Sequence, residues 1–92
     1  MNEIFFNPVD LVAMGQRIKR VRNAHHLSVG RFAEILSVSE NAVYKWQRGE
    51  TAPDIVNIGI ISTRFRVSLD YLILGVGDDG ESSPGVLKEK AA

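Results

Sequence analysis

Two adjacent histidines, His25 and His26, are the first residues whose type invites chemistry. On a helix, neighbouring side chains diverge by about 100° and cannot share one metal ion well. The chain has no cysteine, so thiolate ligands, a cysteine nucleophile and disulfides are all excluded. No carboxylate stands at helical spacing from the pair, and neither a metal nor a cofactor is expected. No nucleophilic-serine motif, phosphate loop or paired-carboxylate arrangement appears, so an enzyme is not expected. Charge is more informative. The total is zero, yet residues 16–66 hold nine basic residues (Arg17, Lys19, Arg20, Arg22, Arg31, Lys45, Arg48, Arg64, Arg66) against four acids, a net of +5. The remaining two basic and seven acidic residues give −5, concentrated at the two ends. A basic body between acidic termini suggests a face for a polyanion. The bland alternative is a solvated surface whose asymmetry is accidental.

The elements that must carry this charge are short. Ninety-two residues, 45% hydrophobic and 24% charged, make one folded domain and leave no room for a two-lobed enzyme. No apolar run approaches the roughly 18 residues of a membrane span. The N-terminus lacks the basic region and apolar core of a signal peptide, and a cytoplasmic chain is expected. Glycine and proline divide the sequence into an N-terminal arm (1–9), a domain (10–75) and a loose, glycine-rich tail (76–92). Leu11, Met14, Ile18, Val21 and His25 recur every three or four residues, predicting a first helix capped by Asp10. Ser28 caps a second helix burying Phe32, Ala33 and Leu36. Ser39 caps a third, with Val43 and Trp46 inward. Pro53 or Asp54 opens a fourth, carrying Ile55, Ile58, Ile61 and Phe65 on one stripe. Ser68 caps a last short helix with Leu69 and Leu72 inward, closed by Gly75. The expected fold is all-α, a compact bundle of five helices, each too short to persist alone. Gly30 and Gly59 fall inside helices, each at a cost of roughly 1 kcal/mol relative to Ala.

Only Ser37-Val38-Ser39 separate the second and third helices. Two short helices joined by three residues must cross steeply, the helix-turn-helix arrangement. Ala33 lets them approach, and Val38 and Val43 close the angle from inside. Together with Arg17-Ile18, Val21-Arg22, Leu27-Ser28, Val43-Tyr44-Lys45-Trp46, Arg48-Gly49 and the run from Phe65 to Leu72, this segment resembles the Xre/Cro-type, lambda-repressor-like helix-turn-helix domains. The resemblance covers residues 11–75.

That resemblance implies a small prokaryotic or phage transcriptional regulator of repressor type. It would bind double-stranded DNA sequence-specifically as a homodimer, with the third helix in the major groove. By position, Glu40, Asn41, Ala42, Tyr44 and Lys45 become the base-contact candidates. Asn41 suits the paired donor and acceptor of adenine, Lys45 guanine, Glu40 a cytosine amino group and Ala42 a thymine methyl. For Glu40 an acid simply favoured by the helix dipole is an equal alternative. Arg17, Arg31 and Arg48, with the backbone from Gly49 to Thr51, become the phosphate contacts. The family commonly pairs an arginine at the position of Arg22 with an acid where this chain has Gln47, so Arg22 is expected to hydrogen-bond that amide. Val29 stands where members usually carry a phosphate-binding glutamine.

A rival reading is a protein-interaction module of the same fold, of antitoxin or anti-repressor type, with incidental DNA binding. Val56 and Ile60 lie off the inward stripe of the fourth helix, where the family usually carries polar residues. With Ile4, Phe5 and Phe6 they could form an apolar surface, and they are the candidate dimer interface.

Overall fold

A computed structural model describes residues 8–77; residues 1–7 and 78–92, including Ile4 to Phe6 and most of the expected tail, lie outside the described residues. The described chain is all-helical: α1 Leu11–Ala24, α2 Val29–Leu36, α3 Glu40–Arg48, α4 Ile55–Phe65, and a fifth helix, Asp70–Leu74, wound as a π-helix. Every expected cap forms. Asp10 accepts from the Val12 and Ala13 N–H groups, Ser28 from Arg31, Ser39 from Ala42 and Asp54 from Asn57. The Ser68 hydroxyl accepts from the Tyr71 N–H. These bonds satisfy N–H groups that a short helix cannot bond internally.

The helix ends follow one pattern. A residue in the left-handed region stops each of the four α-helices, namely His26, Ser37, Gly49 and Arg66. The next residue then donates back five positions: Leu27 to Arg22, Val38 to Ala33, Glu50 to Lys45 and Val67 to Ser62. This motif favours an apolar residue just past the stop, and Leu27, Val38 and Val67 all pack on the core. After α3 that place is taken by the exposed Glu50.

Phe32, Ile18, Ile61, Leu72 and Val43 are fully buried at the centre. Phe32 stacks on Phe65 with ring centroids 5.5 Å apart. Trp46 and Phe65 are core residues, as their spacing implied. Three expected inward positions are corrected. Ile55 is 78% exposed, because as the first residue of α4 it sits well to the side of the Ile58, Ile61 and Phe65 face. Leu69 is 47% exposed; Val67 and Tyr71, four residues apart and so on one face of a helical turn, take the core places on either side of it. His25 is exposed at the end of α1, its ring meeting the edge of Phe65 at 4.9 Å.

α1 packs most extensively on α3, and two glycines make this possible. A Cβ at Gly15 would collide with the Trp46 carbonyl oxygen and lie 2.9 Å from that of Gln47. Gly49, at φ 79°, closes α3 with the backbone of Val12 so near that a Cβ would stand 2.7 Å from its Cα. These contacts fix the angle at which α3 leaves the body.

Candidate nucleic-acid interface

α3 divides into two sides. Val43 and Trp46 point into the core, and Asn41, Tyr44 and Arg48 are exposed on the other side, with Lys45 half-buried at its edge. Asn41 and Arg48 fall opposite the buried pair on the 3.6-residue turn. Among the base-contact candidates, Asn41, Tyr44 and Lys45 therefore share one outward face. Glu40 and Ala42 lie on its two flanks. Ala42 is half-buried and packs partly against the core. The Glu40 carboxylate hangs over α2, 2.8 Å from where a Cβ of Gly30 would stand. Gly30 thus leaves room for this acid between the starts of two helices.

The three arginines assigned to phosphate differ in their surroundings. Arg17 donates Nε to the Leu72 carbonyl at 3.0 Å and Nη2 to that of Ile73 at 3.2 Å. Its guanidinium lies 6.0 Å from the Tyr71 ring, so it ties α1 to the end of the fifth helix. Gly75 (φ 73°) leaves it space, since a Cβ there would stand 2.6 Å from Nη1. Arg31 is exposed beside Glu34 at 2.7 Å. Arg48 is exposed and pairs with Glu50 at 2.6 Å. Hydrogen bonding from Arg48 holds the Glu50 carboxyl below the usual carboxylate range and raises the guanidinium in turn. Both pairs sit in water, where such bridges are weak enough for a phosphate to replace the acid. Thr51 is exposed directly after them.

The expected Arg22 contact is present: Nε donates to Gln47 Oε1 at 2.9 Å, and Nη1 donates to the Leu27 carbonyl at 2.7 Å. Arg22 thereby joins the end of α1, the turn into α2 and the last turn of α3. Its partner is a neutral amide, so among the described residues no acid compensates its charge. Val29 is buried and packs in the core rather than reaching outward.

Sequence reasoning missed the Gly15 contact and the Arg17 tie. Gly15 carried the same signal as Gly30 and Gly59, a glycine inside a helical pattern, but nothing in the pattern says which backbone approaches it. Arg17 carried no signal at all, because its acceptors are carbonyls 55 and 56 residues away. Among the described residues no group of three His, Asp or Glu side chains comes together to hold a metal, and no helix is long and apolar enough to cross a membrane.

The α2–α3 pair, separated by only Ser37 to Ser39 inside a helical body, is the helix-turn-helix arrangement, and the chain belongs to the Helix-turn-helix family, whose profile matches residues 18–72. Among solved structures it is similar to the P22 c2 repressor protein in complex with a synthetic operator. The TM-score is 0.63 at 32% identity, covering 67% of this chain and 94% of that one. The restriction-modification controller protein C.AhdI from Aeromonas hydrophila gives a TM-score of 0.62 at 30% identity, covering 70% and 97%. Among curated proteins, the HTH-type transcriptional activator BcrR of Enterococcus faecalis is 32% identical over 60 residues, 65% of this chain. The chain spans 29% of BcrR and 29% of the P22 repressor C2, so it matches under a third of either.

Proposed function

We propose that this chain binds double-stranded DNA sequence-specifically as a homodimer, in the cytoplasm of a prokaryotic cell, and regulates transcription as a repressor. The observation that carries the reading is the outward face of α3, where Asn41, Tyr44 and Lys45 stand opposite the anchors Val43 and Trp46. A helix held this firmly from behind can present a fixed set of donors and acceptors to base edges. The P22 repressor, which is similar in sequence and structure, is named as an operator-bound repressor, and this supports operator binding. One such helix reads few base pairs, so selectivity requires two copies with half-sites about 34 Å apart. Asn41 and Lys45 specify. Arg31, Arg48 and the backbone from Gly49 to Thr51 hold phosphate, with Arg48 exchanging Glu50 for the DNA.

The test is selection of bound duplexes from a random library, followed by binding of the best site and of random DNA across a salt series. Asn41→Ala should cost about 1–3 kcal/mol on the selected site and relax preference at one position per half-site. Arg48→Ala should weaken all sequences nearly equally and lower the salt slope by about one unit per lost contact. Equal loss on random and selected DNA for Asn41→Ala would remove α3 as the reader.

A further inference from the structure

α1 and the fifth helix part along one flank to leave a cleft of about 350 Å³. Gln16, Arg17 and Arg20 line it from α1, and Tyr71, Gly75 and Gly77 line it from the other side. Both arginines lie against Tyr71. The Arg17 guanidinium is 6.0 Å from its ring, and Arg20 Nη1 donates to its hydroxyl oxygen at 3.1 Å. Like charges three residues apart on a helix repel. Here nothing internal relieves the repulsion, because among the described residues neither arginine forms an ion pair with an acid. Donors are left over as well. Arg17 commits Nε and Nη2 to carbonyls and leaves Nη1, while Arg20 uses only Nη1. The Gln16 side-chain amide has no hydrogen bond among the described residues, and the Tyr71 hydroxyl accepts one without donating any.

We propose that this cleft binds the phosphate group of a small phosphorylated metabolite, a function beyond DNA binding and independent of it. A phosphate dianion compensates both cations at once, and its oxygens accept from the guanidinium, amide and hydroxyl donors together. No carboxylate is among the residues that line the cleft, so no acceptor of the chain competes from its walls. The volume is at the lower end for small-molecule sites, which suits a compact ester rather than a dinucleotide. Gly75 and Gly77 bring no side chain to the opposite wall, leaving room for the organic part of the ester. Gln16, Arg17 and Arg20 lie roughly 100–160° round α1 from Gly15. Gly15 is where α3 packs, so a duplex held by α3 is on the other flank of α1. Asp78 and Asp79 follow Gly77 in the chain, and their carboxylates are the rival source of negative charge.

The probe is glycerol 3-phosphate, titrated into the full-length protein at fixed ionic strength beside acetate, with backbone amide chemical shifts as the readout. Shifts should saturate, cluster between Ala13 and Arg20 and between Tyr71 and Gly77, and give an affinity at least tenfold above that of acetate. Arg20→Gln and Gln16→Glu should each lower the affinity at least tenfold with helicity unchanged. Lys19→Gln removes the same charge from an exposed residue of α1 outside the cleft and should leave the affinity within twofold. Shifts that rise without saturating, or equal losses in Arg20→Gln and Lys19→Gln, overturn the proposal, since the attraction is then net charge alone. So does binding that appears only after Asp78→Asn and Asp79→Asn, which would make the chain's own carboxylates the occupant. A salt slope of DNA binding lower by a full unit in Arg20→Gln would overturn it in favour of a DNA phosphate.

Discussion

At the seam between α1 and α3 the two backbones leave no room for a methyl group on Gly15, whereas on the outer face of α4 a methyl group on Gly59 would stand in open space. Both residues interrupt a helix and look alike in sequence. In the first case the glycine is what lets two helices of the same chain touch. In the second, nothing within the described chain uses the space, and the helix bears the cost of glycine without an internal return. One region is closed by its own neighbours; the other is finished on one side only.

Gly15→Ala is the harshest way to break this contrast. The obstacle is the carbonyl backbone of Trp46 and Gln47, which cannot move aside as a side chain would. We expect a loss of about 3 kcal/mol, at the upper end for overpacking, read as a lower midpoint in urea. Binding to the selected site should fall further than stability explains, because the angle of α3 is set at this contact. A stability within 1 kcal/mol of the parent would mean that the seam has slack.

Next comes Arg17→Ala, which removes two charge-assisted hydrogen bonds to the end of the fifth helix. About 2 kcal/mol of stability should go with them, while the salt slope of DNA binding stays unchanged. A slope lower by a full unit with unchanged stability would assign Arg17 to the phosphate contacts instead.

Gln47→Glu sharpens the seam in the other direction. It gives Arg22 a charged acceptor at a part-buried site and should add about 1 kcal/mol at neutral pH. The new carboxylate would titrate below its unfolded value, so the gain should be present above about pH 4.3 and disappear as pH falls through the lower folded value. A gain that persists at pH 2 would place its origin outside the ion pair. Gly59→Ala is expected to have the smallest effect and the opposite sign from Gly15→Ala, a rise of just under 1 kcal/mol from helix propensity alone. Thermal melts at low protein concentration measure it on the monomer. A loss there would show that the space over Gly59 is already filled within one chain.

Much of this arrangement could be read from the chain alone. Asp10, Ser28, Ser39, Asp54 and Ser68 cap where their position before an apolar period required, because capping is decided within three residues. The inward residues Phe32, Ala33, Leu36, Val43 and Trp46 followed from helical spacing. The outward face of α3 was then the remainder of the same helix. Arg22 and Gln47 were joined only through resemblance, since nothing local relates residues 25 apart.

Periodicity failed where a second element decides which part of a face is covered. Ile55 and Leu69 have the right residue type at nearly the right phase, yet both are left exposed, while Val67 and Tyr71, four apart, take the core places beside Leu69. The helices, their caps and most of the sides they bury were legible in the residues, because those depend on contacts within one turn. Packing settled the rest: a backbone approaches Gly15 and none within the described chain approaches Gly59, and Arg17 ends on carbonyls. Those outcomes depend on which distant backbone arrives at each residue, and a one-dimensional pattern contains the residue but not its visitor.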